Sequence, residues 1–116
     1  MKRVINDIYR IKKDNSKISL AVTIGYRQDA DVEISLKDQK IHQGFGSVIL
    51  ELGNDNDLNL ADLKVVANAQ DIQSEFDLVT MTLTLKGGKT PKSWTVGTES
   101  IDGNVYYLKI GITFIN

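Results

Sequence analysis

Ile18-Ser19-Leu20-Ala21-Val22-Thr23-Ile24-Gly25-Tyr26 decides the fold class. Every even position is large and apolar, and every odd one is small or polar. Successive side chains of a strand point to opposite faces, so this stretch has one face for a core and one for water. A helix would scatter the same apolar residues around its circumference. The alternation returns at Val32, Ile34 and Leu36, and at Val79, Met81, Leu83 and Leu85 opposite Thr80, Thr82 and Thr84. It returns again at Tyr106, Leu108, Ile110, Ile112 and Phe114. A terminal segment that stays apolar to its end is expected to be paired inside a sheet.

Weaker alternation marks Val48 to Leu52, Leu63 to Ala69, and Trp94 with Val96. Two segments are ambiguous. Val4, Ile5, Ile8 and Tyr9 suit a strand by residue type but also one helical face, and Asp62 to Gln70 reads as a strand or a short helix. Turn chemistry falls between the runs: Asp14-Asn15-Ser16, Gly53 to Asp57, Gly87-Gly88 with Pro91, and Asp102-Gly103-Asn104. The last three strands, 76–86, 93–100 and 104–115, read as a meander. Seven or eight short strands with regular turns predict an all-β, antiparallel β-sandwich of immunoglobulin-like or jelly-roll type, with room for one short helix. At 116 residues, the whole span 1–116 is expected to be a single domain.

With 41% hydrophobic and 25% charged residues the chain has the balance of a globular protein, and its lack of cysteine excludes disulfides and thiolate chemistry. No apolar run reaches the length of a membrane span or of a signal-peptide core, so the chain reads as a cytoplasmic product or a mature form, with localisation undecided. Residues 1–17 hold six basic and two acidic groups, whereas residues 29–77 hold three basic and eleven acidic ones. The acidic central block argues against nucleic-acid binding, and the asymmetry reads first as solvated loops and polar strand faces, with steering of protein docking or self-association as the sharper alternative.

His42 is the only histidine, which excludes a histidine-rich zinc or copper centre. No Gly-x-Ser-x-Gly elbow is present, and Gly44-Phe45-Gly46 lacks the third glycine of a phosphate loop. His42 itself reads as a surface loop residue. No catalytic residue and no cofactor is assigned, with calcium as the one candidate ligand. Asp55, Asp57, Asn59 and Asp62 have the oxygen-rich spacing of the first half of a calcium loop, although Leu60 and Val66 stand where an EF-hand needs glycine and glutamate. The same residues make an ordinary polar turn, which is the preferred reading. Trp94, Tyr107 and Tyr26 are the candidates for a sugar-stacking platform, set against the commoner fate of large aromatics in a core.

Three functions follow in order of preference. The first is a non-catalytic interaction or assembly module, binding a protein partner or its own copies, with the apolar last strand as a pairing edge. The second is a carbohydrate-binding module stabilised by calcium. The third is a small hydrolase.

Overall fold

The computed structural model describes residues 3–25, 30–70, 78–99 and 105–116. They form nine strands and one helical turn: β1 (Val4–Arg10), β2 (Lys17–Gly25), β3 (Ala30–Leu36), β4 (Gln39–Phe45), β5 (Val48–Asn54), α1 (Asp55–Leu58), β6 (Asp62–Gln70), β7 (Leu78–Lys86), β8 (Lys92–Glu99) and β9 (Val105–Ile115). Sheet A has the order β1-β9-β6-β3-β4, and sheet B the order β5-β2-β7-β8. The two sheets pack as an all-β sandwich, as the alternation requires. No helix among the described residues is long and apolar enough to cross a membrane.

The core is made of the predicted apolar faces. Ile18, Leu20 and Val22 of β2 meet Val79, Met81, Leu83 and Leu85 of β7 within one sheet, and Val32, Ile34, Val65, Leu108, Ile110 and Phe114 come from the other. All are buried. Each removes most of its surface from water, worth roughly 1.5–3 kcal/mol per large aliphatic side chain before entropy is counted.

The structure corrects the expected strand plan at four points and resolves an ambiguity at a fifth. First, β4 is a ninth strand, where a loop around His42 was expected. It lies at a sheet edge and none of its residues is buried, so neither of its faces needs to be apolar. Its turn is also disguised: Lys37 and Asp38 both adopt positive φ, 54° and 62°, the conformation of a two-residue hairpin usually marked by Asn-Gly. Second, the sheet is not purely antiparallel, because β1 runs parallel to β9, from Val4 beside Lys109 to Arg10 beside Ile115. Third, the meander stops after β8. β9 leaves sheet B and lies in sheet A between β1 and β6. Fourth, β9 is therefore paired on both sides and offers no edge for docking. Fifth, Asp62–Gln70 is strand β6, and the single helical turn lies earlier, at Asp55–Leu58.

Candidate functional site

Trp94 and Tyr107 are not brought together, and Tyr26 lies outside the described residues. Trp94 is buried beside β1, where its indole N–H donates to Asp7 Oδ2 at 2.8 Å. The same carboxylate oxygen accepts from Lys92 Nζ at 3.1 Å, and Asp7 Oδ1 accepts the Ile8 N–H at 2.8 Å. The Trp94 indole, the Ile8 amide and Lys92 together pull the Asp7 carboxyl down to about 2. The Tyr9 ring meets Trp94 and Phe114 edge-on, each at 6.1 Å between centroids. Its hydroxyl donates to the Thr90 carbonyl at 2.8 Å and accepts the Gly88 N–H at 3.1 Å. Burial raises the Tyr9 hydroxyl above the usual tyrosine value. Trp94 is thus a structural clasp between the edges of the two sheets.

Tyr107 is half exposed on the outer face of sheet A. The strand registers set its neighbours. Tyr107 lies beside Asn68, Asn68 beside Asp31, and Asp31 beside Phe45. Residues in register point to the same side of a sheet. The outer face therefore carries one cross-strand row of Phe45, Asp31, Asn68 and Tyr107, with an aromatic at each end. Phe45 is 81% exposed and Tyr107 51%. Three strand spacings separate them, roughly 14 Å.

The next row is Gln43, Glu33, Val66 and Lys109. Lys40 bridges to Glu33 at 3.6 Å and donates to Gln43 Oε1 at 3.0 Å. Below Tyr107 the face dips where side chains are short. One depression of about 270 Å³ lies among Glu33, Ser35, Lys64, Val66, Asn68 and Tyr107. A second, of about 260 Å³, continues from Lys64 past Gly111 to Asn6 and Thr113. The two share Lys64 and form a shallow trough across the sheet. The outer face of sheet B is different in kind, with Thr82 and Thr95 in hydroxyl contact at 2.9 Å and Thr84 and Ser93 at 2.8 Å.

The calcium-loop candidates separate. Asp55 is fully buried, and its Oδ2 accepts the Asp14 N–H at 3.3 Å. Asn59 Oδ1 caps the Asn116 N–H at 3.1 Å, Asp62 Oδ1 accepts the Thr113 hydroxyl at 2.7 Å, and Asp57 is exposed on α1. Among the described residues no three histidine or carboxylate side chains gather in a group able to hold a metal. His42 lies on strand β4, half-buried, opposite Ile34 on the inner side of the sheet edge.

Of this outer-face row, sequence reasoning singled out Tyr107 and not Phe45, Asp31 or Asn68. The signal for Phe45 was its isolation as a large apolar residue between Gly44 and Gly46, next to a polar segment. Nothing local links it to Tyr107; only the order β9-β6-β3-β4 does. The chain matches no protein-family model, and comparison with curated proteins and with solved structures yields no significant match.

Proposed function

We propose that this chain is a non-catalytic assembly module in which a second copy docks on the outer face of sheet A. The row Phe45, Asp31, Asn68, Tyr107 supports this reading, because it is complementary to itself when reversed. A two-fold axis running along the strands between β3 and β6 lays Phe45 of one copy over Tyr107 of the other, twice. The same axis sets Asp31, an acceptor, against the Asn68 amide, a donor. Such an isologous contact closes as a dimer. Exposed aromatic anchors of this kind carry much of the energy of an interface. Sedimentation of the wild type from micromolar to millimolar concentration tests it. Dimerisation is expected, and truncating both aromatics to alanine weakens it by roughly 30-fold or more, the equivalent of about 2 kcal/mol. A strictly monomeric wild type sinks the reading.

A second reading has its own support in the trough beside Tyr107. Flat rings stack on the apolar faces of sugars, and Asn68, Glu33 and Lys64 present hydrogen-bonding groups beside the Tyr107 ring. A glycan array and calorimetry with the best hit decide this reading. Binding that survives in a Tyr107→Ala, Phe45→Ala chain counts against it.

A further inference from the structure

We propose that the edge formed by β1 and the β7–β8 turn binds a phosphate monoester, held by Arg10 and Lys89. An open depression of about 530 Å³ lies there, lined by Ile8, Arg10, Lys89, Thr90 and the Asp7–Lys92 pair. That volume falls in the range of small-molecule sites. Two segments far apart in sequence supply the cations, and the fold pins them together. The Lys89 N–H donates to the Arg10 carbonyl at 3.0 Å, and the Tyr9 hydroxyl donates to the Thr90 carbonyl at 2.8 Å. Gly88 packs so closely on β1 that a Cβ there would stand 2.6 Å from the Arg10 carbonyl. The walls are thus set before a ligand arrives, which lowers the ordering cost of binding.

Charge is left over in this depression. Lys92 is paired with Asp7 at 3.1 Å and lies over the Trp94 ring at 5.1 Å. Asp7 is the one acidic residue among the described residues that line it. Arg10 and Lys89 are exposed and form no ion pair among the described residues. A concave surface with uncompensated charge of one sign draws in the opposite ion. The ligand class follows from the donors. A phosphate monoester carries close to two negative charges at neutral pH and three acceptor oxygens. Arg10 offers a planar fork, Lys89 a point charge and Thr90 a hydroxyl, which suits three oxygens better than the two of a carboxylate. Ile8, 41% exposed, gives an apolar wall for the body of the ester. The site lies at the edge of sheet A opposite β4, so it does not depend on the dimer proposed above.

Phenyl phosphate and inorganic phosphate are titrated into the wild type at constant ionic strength, by calorimetry and by amide NMR shifts. Saturable binding is expected, tighter for phenyl phosphate, with shifts centred on Ile8, Arg10 and Lys89. Arg10→Gln and Lys89→Gln are each expected to weaken it about tenfold or more, as for a lost hydrogen bond to a charged group. Both side chains are exposed, so these replacements leave the fold intact. A Lys12→Gln, Lys13→Gln chain removes two exposed charges from the neighbouring loop, outside the lining, and is expected to bind as the wild type does. A wild type that saturates with neither probe overturns the proposal. So does an equal loss in the Lys12→Gln, Lys13→Gln chain, which marks a diffuse basic field. Equal affinity for the two probes overturns the monoester and identifies free phosphate as the ligand.

Discussion

The two long sides of the sandwich are built in opposite ways. On one side β1 and β8, edges of different sheets, are drawn together. Asp7 reaches across to Trp94 and Lys92, Tyr9 wedges between Trp94 and Phe114, and β8 packs on both β1 and β9. On the other side β4 and β5 are consecutive in sequence, joined by Gly46 and Ser47, yet are scarcely in contact. That side carries the two most exposed large apolar residues described, Phe45 at 81% and Ile49 at 80%. The difference teaches how the chain divides its aromatics. Those on the closed side hold the sheets together, and Phe45 on the open side stays exposed. Both β4 and β5 also carry a register irregularity, opposite Ile34/Ser35 and Ile18/Ser19. Such bulges discourage random edge-to-edge pairing.

The sharpest way to break this comparison is to truncate one aromatic on each side. Tyr9→Ala is expected to cost about 3–5 kcal/mol in urea unfolding, as for other large buried aromatics. Phe45→Ala is expected to stay within about 0.5 kcal/mol, the usual range of surface changes. Comparable losses at the two positions would erase the distinction.

Gly88→Ala probes the same closed side through the backbone. An added Cβ would stand 2.6 Å from both the Arg10 carbonyl and the Tyr9 ring. Neither β1 nor the ring can retreat without opening the clasp, so a loss of roughly 1–3 kcal/mol is expected from overpacking. Thermal unfolding reads it directly.

Trp94→Phe keeps the ring packed and removes only the donor to Asp7. The expected cost is about 1–2 kcal/mol, in the range of a hydrogen bond to a charged group. In the same variant the Asp7 carboxyl moves back up toward 3.8, which NMR titration measures.

The smallest effect is on pH dependence. Asp7 titrates near 2 when folded and at its ordinary 3.8 when unfolded, so its contribution is complete above that value and disappears as pH falls toward 2. With 37% of the side chain in water, screening trims the contribution to about 1 kcal/mol. Stability measured between pH 5 and pH 2, at constant salt, is expected to fall less steeply in Trp94→Phe than in the wild type. Parallel curves would show that the indole does not set the Asp7 titration.

Much of the core was legible in advance, and for a local reason. Leu20, Val22, Leu83, Leu85, Ile110 and Phe114 alternate with small or polar neighbours, and strand geometry sends alternate side chains to one face wherever the strand is placed. Tyr107 was legible as outward-facing on the same ground. The edge strand β4 was not, because a strand with no buried residue can keep both faces polar, and its Lys37-Asp38 turn lacks glycine. Trp94 was left between a ligand platform and a core position, because sequence gives no sign of Asp7, distant in the chain, waiting for its indole.

The amino-acid sequence by itself determined which side of each strand would be dry, since that depends only on neighbours along the chain. Which strands lie side by side, and hence that Phe45 and Tyr107 share a row while Arg10 meets Lys89, was decided by the tertiary structure. Sheet order follows from how all the apolar faces pack at once, and no segment contains that information alone.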